Sequence, residues 1–423
     1  MRLEVTPVAT IQGSLRPPSD KSLTHRSYLF AAIADGESRV RMPLRGEDCE
    51  STLSCLNLLG LRHEWITPTE IRLIPAAEWV QPPHELDCGN SGTTMRLLSG
   101  LLASRELDCT LVGDASLSRR PMKRIAVPLR AMGAIVEGDT PPLRIKGGRL
   151  NAIDYDSPVA SAQVKSCTLL AGLGAEGVTS VKEPSPSRDH TERMLRATGV
   201  EVVSGDRISI RGGQRPRGFE FTVPGDISSA AFAMVAAAVL PDGYLVVQDL
   251  NVNPTRTGLL DVFEQCGIPV IQGSPREELG EPVADVEVRS PKTLRPFTIE
   301  GPLVPRLIDE IPVLAVLATQ CEGTSIIRDA QELRVKESDR LEIVANGLRA
   351  MGARVETFED GMAISGPVRL NATRIDASGD HRIAMAFAVA GLLDEDGVTI
   401  DGAESINTSY PEFMNDLMRL SIV

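Results

Sequence analysis

The chain has 423 residues, 42% hydrophobic and 24% charged, with a formal net charge of -13. This ordinary globular composition excludes disordered, collagen-like and coiled-coil readings, and the length exceeds one compact core, so two or three domains are expected. The acidic balance disfavours nucleic acid and anionic membrane as partners, and the longest apolar run, Ala230 to Leu240, falls short of the roughly 20 residues of a membrane span.

Two elements recur along the chain. The first is a helix of small apolar residues followed by a turn and a β-like run. It reads HRSYLFAAIADGESRV (25–40), TTMRLLSGLLASRELDCTLV (93–112), AQVKSCTLLAGLGAEGVTSV (162–181), SSAAFAMVAAAVLPDGYLVV (228–247), IPVLAVLATQCEGTSII (311–327) and HRIAMAFAVAGLLDEDGVTI (381–400). Small residues all round a helix imply burial at close range. The second element follows each of these, a helix ending at glycine before a short strand. It reads CLNLLGLRHE (55–64), PLRAMGAIVE (128–137), MLRATGVEVV (194–203), VFEQCGIPVI (262–271) and GLRAMGARVE (347–356). Gly60, Gly133, Gly199, Gly267 and Gly352 each fit the residue just past a helix end, where a left-handed backbone suits glycine. A sixth copy, FMNDLMRLSIV (413–423), has Ser421 at that place. Six units of about 70 residues account for the chain.

The opening MRLEVTPVAT has neither a secretory nor a transit signature, so the cytoplasm is the expected location. Seven cysteines without a CxxC pair, and only five histidines, point to reduced structural thiols and no metal site.

Chemistry gathers where the buried helices begin, at SDKSLTHR (19–26), GNSGTTMR (89–96), ASAQVK (160–165), PGDISS (224–229), RLIDEIP (306–312) and GDHR (379–382). Helix N-termini attract anions through free N–H groups, and Ser, Asp and Asn are also simply good caps. Lys21, Arg26, Arg96, Lys165 and Arg382 are read as first-turn cations, set against the helix dipole, which is explained if anions lie between them. The loop SRRPMKR (118–124) adds Arg119, Arg120, Lys123 and Arg124. The segment ELRVKESDRLE (332–342), taken alone, is a charged helix start with i,i+3 pairs Lys336–Asp339 and Glu337–Arg340. His381, between Asp380 and Arg382, is a functional candidate.

In order and spacing, SDKSLTHR, GNSGTTMR, RRPM, SAQVKS, IDEIP, LRVKESDRL and GDHRIAMAF closely resemble the EPSP synthase (3-phosphoshikimate 1-carboxyvinyltransferase) family over essentially the whole chain. The resemblance implies an α/β fold, a two-domain inside-out α/β barrel of six βαβαββ repeats, three per domain. Residues 18–227 would form the N-terminal-type domain and 1–17 with 228–423 the C-terminal-type domain, with the active site in the interdomain cleft. It implies transfer of the enolpyruvyl group of phosphoenolpyruvate to the 5-hydroxyl of shikimate 3-phosphate, releasing phosphate, without cofactor or metal, by a monomer. Carried over by motif, Lys21 stabilises transferring charge between both substrates. Ser22, Arg26, Ser161, Ala162, Gln163, Arg188 and Lys336 hold shikimate 3-phosphate. Asn90, Gly92, Arg120, Gln163, Arg340 and Arg382 hold phosphoenolpyruvate. Asp309 accepts the hydroxyl proton, Glu337 protonates the methylene, and His381 supports the phosphoenolpyruvate end. Lys165 is read as structural. Gly92 leaves room for an analogue such as glyphosate. Ser161-Ala162-Gln163 stands where the best-known branch has Ser-Ser-Gln, which marks a more divergent branch.

Two alternatives compete. The sister enolpyruvyl transferase acting on UDP-N-acetylglucosamine carries a cysteine on the loop over phosphoenolpyruvate. SLSRRPM (116–122) has none, and Cys109 falls in a β-like run. An RNA-binding or RNA-modifying repeat protein is disfavoured by the acidic balance and the lack of aromatic stacking patches.

Overall fold

The computed structural model describes residues 1–393 and 396–422. Asp394 and Glu395, in the expected turn after the sixth buried helix, and Val423, at the end of the sixth outer copy, lie outside the described residues.

All six small-residue helices form: Lys21–Ile33, Gly92–Ala103, Ala162–Gly172, Ile227–Val239, Ile311–Ala318 and His381–Gly391. Burial runs all the way round them, and every residue of His381–Gly391 is inside. Small side chains let backbones come close. A Cβ on Gly100 would lie 2.3 Å from the Cys167 carbonyl oxygen of the next buried helix, so this crossing requires glycine. The outer helices stop as their sequences predict. Gly60, Gly133, Gly199, Gly267 and Gly352 have φ of 107, 105, 91, 77 and 90°, a region that strains residues bearing a Cβ. Ser421 instead has φ -76° and enters a strand that pairs with Thr10 and Ile11.

The chain divides into two compact units, each with its own apolar core. The N unit comprises Ser19–Pro224 with Glu277–Glu281. It holds three four-stranded sheets of one pattern. In one, Leu86–Asp87 pairs in parallel with Asp108–Val112, which pairs antiparallel with Leu143–Lys146, itself antiparallel to Ile135–Glu137. The parallel pair is joined through a buried helix, the crossover that parallel neighbours need. The sheet containing Asp154–Asp156 repeats this arrangement. In the sheet containing Ser38–Arg41 the first strand arrives late in the chain, as Glu220–Thr222. Glu277–Glu281 falls inside the segment expected with the other domain, yet clusters here. The Glu281 carboxylate lies 2.9 Å from His190 Nδ1, and both side chains are fully buried.

The C unit comprises Met1–Pro18, Gly225–Arg276 and Pro282–Val423. Its N-terminal segment completes two sheets. Thr10–Leu15 pairs in parallel with Tyr244–Asn251. Arg2–Val5 pairs antiparallel with Val398–Asp401, supplying a strand to the last repeat. Among the described residues, no helix is long and apolar enough to cross a membrane.

Candidate active site

In the N unit, Asp20 caps Lys21–Ile33 by accepting from the Leu23 N–H at 2.8 Å. Lys21 is thus the first helical residue and Ser22 the second. Lys21 Nζ lies 2.9 Å from an Asp48 carboxylate oxygen. Arg26 sits one turn further in than the sequence reading placed it, and it reaches back. Its guanidinium donates to the Ser22 carbonyl at 3.0 Å, Thr191 Oγ1 at 2.8 Å and Ser166 Oγ at 3.1 Å. Every one of these acceptors is neutral, and Arg26 is only 3% exposed. Burial, opposed chiefly by Glu192, lowers its pKa to about 10, so it stays charged at neutral pH. A desolvated cation bonded to neutral atoms is a strong attractor for an anion.

Ser91 caps Gly92–Ala103 through the Thr94 N–H at 3.1 Å. Arg96, also a turn further in than expected, donates to Gln163 Oε1 at 2.5 Å, and Gln163 Nε2 donates to Thr93 Oγ1 at 2.9 Å. Arg120 donates to Asn90 Oδ1 at 2.7 Å and to the Asn90 carbonyl at 3.2 Å. Asn90 is held in turn by Asp114 at 2.6 Å. Of the basic loop, Arg120 turns inward at 8% exposure, while Arg119 and Lys123 face solvent. A Cβ on Gly92 would lie 2.8 Å from Arg96 Nη1 and 3.6 Å from Arg120 Nη1. Asn90, Gly92, Arg120 and Gln163 are therefore gathered around one spot, with Arg96 added.

Ser161 caps Ala162–Gly172, whose first residue is Ala162, and the Ser161 N–H donates to Glu183 at 2.9 Å. Lys165 is buried between Glu183 at 3.0 Å and Glu192 at 2.9 Å, a closed ion-pair network. Arg188 is half-buried just before the helix His190–Ala197, and its charge bears on Arg26.

In the C unit, Arg340 opens the helix Arg340–Ala350 and is 1% exposed. Its guanidinium meets three carboxylates: Asp380 at 2.8 and 3.2 Å, Glu337 at 2.7 Å and Asp309 at 3.3 Å. Lys336 Nζ lies 3.6 Å from Asp309. Arg382 Nη1 donates to the Asp309 carbonyl at 3.2 Å, and its backbone N–H donates to Asp380 at 3.0 Å, capping His381–Gly391. His381, the first residue of that helix, is buried. Burial pushes the Asp380 carboxyl up, but the charge and hydrogen bonds of Arg340 override it and hold the group below the usual carboxylate range. The surrounding carboxylates raise Arg340 above its ordinary value despite burial. The solvent-face pairing expected for residues 332–342 holds for Glu337–Arg340 alone. Lys336 turns to Asp309, and Asp339 pairs with Arg334 at 2.9 Å.

Sequence reasoning passed over Asp48, Ser166, Thr191 and Asp380 as partners of Lys21, Arg26 and Arg340. An Asp just before a helix reads as a cap, and capping hides its second job.

A family model described as EPSP synthase (3-phosphoshikimate 1-carboxyvinyltransferase) matches residues 5–417. The chain belongs to the EPSP synthase family. A 3-phosphoshikimate 1-carboxyvinyltransferase of Desulfitobacterium hafniense is 47% identical over 423 residues, covering 97% of this chain and 96% of the relative. One of Bacillus cytotoxicus is 46% identical over 416 residues, covering 97% and 98%. The solved EPSP synthase of Acinetobacter baumannii superposes with a TM-score of 0.89 at 43% identity, covering 100% of this chain and 98% of that one. The enolpyruvyl transferase NikO of Streptomyces tendae, at 19% identity and a TM-score of 0.81, shares the fold. The cysteine of the sister transferases has no counterpart on the loop 116–122, and Cys109 is buried in the strand Asp108–Val112.

Proposed function

We propose that this chain transfers the enolpyruvyl group of phosphoenolpyruvate to the 5-hydroxyl of shikimate 3-phosphate, by addition and elimination through a tetrahedral intermediate. The observation that carries the reading is the cluster around Arg340. Two carboxylates, Asp309 and Glu337, are held on one buried guanidinium beside Lys336 and Arg382. Such a cluster can bind anionic substrates and move protons at one place. In the addition step the shikimate hydroxyl oxygen bonds to C2 of phosphoenolpyruvate. Asp309 takes the hydroxyl proton and Glu337 delivers a proton to the methylene. Elimination removes a proton from the new methyl group, breaks the bond to the phosphate oxygen and restores the double bond.

The N-unit cations serve the same substrates. Arg26 and Ser22, with Ser161, Ala162, Gln163, Arg188 and Lys336, hold shikimate 3-phosphate. Asn90, Gly92, Arg120 and Gln163, with Arg340 and Arg382, hold phosphoenolpyruvate, and His381 supports it. Lys21 stabilises the charge that moves between the two. The same reading takes the protein to act as a monomer in the cytoplasm, and sedimentation at working concentration tests the first of these.

The test is incubation of the folded protein with shikimate 3-phosphate and phosphoenolpyruvate, measuring released phosphate. Turnover is expected with shikimate 3-phosphate and none with UDP-N-acetylglucosamine. A folded sample that releases no phosphate with the first acceptor overturns the reading.

A further inference from the structure

We infer that the N unit carries a second ligand site, at the far ends of its three buried helices, built for a small organic carboxylate. This goes beyond enolpyruvyl transfer and does not depend on it. A cavity of about 720 Å³ opens where Lys21–Ile33, Gly92–Ala103 and Ala162–Gly172 end. Pockets for small molecules span roughly 300–1,000 Å³. Helices rise about 1.5 Å per residue, so the 13-residue Lys21–Ile33 separates this cavity from Lys21 by roughly 20 Å.

The lining is mostly polar and carries two guanidinium groups. Ile33, Leu101, Leu170 and Leu173 back it from the core and are themselves buried. Trp79 is fixed at its edge, its indole N–H donating to the Ala32 carbonyl at 3.1 Å and its ring covered by the Arg105 guanidinium 4.0 Å from the centroid. Arg105 bonds only neutral atoms, the Leu101 carbonyl at 3.3 Å and Ser104 Oγ at 3.5 Å. Arg215 lines the same cavity, and its charge presses on Arg105. Burial first, then Arg215, lowers the Arg105 pKa to about 10.

Glu78 and Glu106 also line the cavity, but among the described residues no carboxylate pairs with either guanidinium. Capping the end of Gly92–Ala103 accounts for Arg105 alone. It gives no reason for a second arginine beside it, since like charges at close range repel. A carboxylate between the two forks satisfies both.

The sequence has two tryptophans, so Trp65→Phe leaves Trp79 as the sole indole reporter. In that background, 3-phenylpropanoate is expected to change Trp79 fluorescence saturably. Its neutral amide should bind about tenfold more weakly, and Arg215→Gln should weaken the acid by a similar factor, about the effect of one lost charge-assisted hydrogen bond. Arg215 is exposed, so that variant keeps its fold. Shikimate 3-phosphate should not displace the probe. Four results overturn the site: no saturable change, equal binding of acid and amide, indifference to Arg215→Gln, or displacement by shikimate 3-phosphate.

Discussion

Asp380→Asn tests the heart of the C-unit cluster. The Asp380 carboxylate is fully buried and accepts four hydrogen bonds: Arg340 Nε at 2.8 Å, Ser338 Oγ at 3.0 Å, the Arg382 N–H at 3.0 Å and Arg340 Nη2 at 3.2 Å. Asparagine keeps the shape and one acceptor oxygen, which can still serve the Arg382 N–H and Arg340 Nη2. Its amide NH₂ must then face Arg340 Nε, donor against donor. Removing one partner of a buried pair costs about 3–5 kcal/mol, and a charge-assisted hydrogen bond contributes about 1.5–3 kcal/mol. Glu337 and Asp309 still face Arg340, at 2.7 and 3.3 Å, which moderates the loss. The net cost is therefore about 2–4 kcal/mol.

Hydrogen exchange read by mass spectrometry resolves this locally, because amides of His381–Gly391 exchange through opening of the packed core. At about 1.4 kcal/mol per tenfold, exchange there should quicken by roughly 30- to 800-fold near neutral pH. The pH dependence has a defined sign. A carboxyl held below its unfolded value contributes stability above about pH 3.9, and loses it as pH falls through the depressed folded value. The gap between wild type and variant should therefore close in acid. A change under about threefold at neutral pH would refute the claim that Asp380 is what holds Arg340.

Glu337→Gln should lower kcat by about 10²- to 10⁴-fold while shikimate 3-phosphate binding stays within a few fold, read by stopped assay and calorimetry; wild-type kcat would exclude Glu337 as proton donor. Gly92→Ala places a methyl group 2.8 Å from Arg96 Nη1, the movable end of a side chain. Stability should shift by no more than about 1 kcal/mol, while the KM for phosphoenolpyruvate rises about tenfold. Glyphosate, expected to compete with phosphoenolpyruvate, should weaken as well, and an unchanged KM would remove Gly92 from the site. His25 is fully buried with Nδ1 2.7 Å from Thr52 Oγ1, and burial lowers its pKa to about 3. The unfolded chain then binds one more proton between about pH 3 and 6.5, so stability drops by about 1.4 kcal/mol for each unit that the pH is lowered there. His25→Gln should remove that slope from urea unfolding followed by tryptophan fluorescence, since Trp65 and Trp79 both belong to the N unit; parallel slopes would contradict a neutral buried imidazole.

Local patterns made the fold legible. Small-residue helices and glycine ends are written in adjacent residues, and each glycine takes the conformation that its position demands. Two features of the site were not local. Side chains on a helix lean toward its N-terminus, so Arg26 and Arg96, one turn in, still serve the helix start; counting first-turn positions misses that lean. Partners such as Lys21–Asp48 and Arg340–Asp380 are joined only by the fold, across 27 and 40 residues of chain.

Those partners separate two kinds of arginine that the sequence presents alike. Arg26 donates only to neutral atoms, which suits the anion-binding role proposed for it. Arg340 is ringed by carboxylates and has little charge left over. In the proposed reaction it fixes Asp309 and Glu337 in place, where a proton can be taken from one side of a reacting pair and given to the other. The anion-binding role proposed for arginines at helix starts therefore has its simplest support at Arg26. For Arg340 positioning is added to it, and Arg→Lys exchanges at the two sites should fail for different reasons.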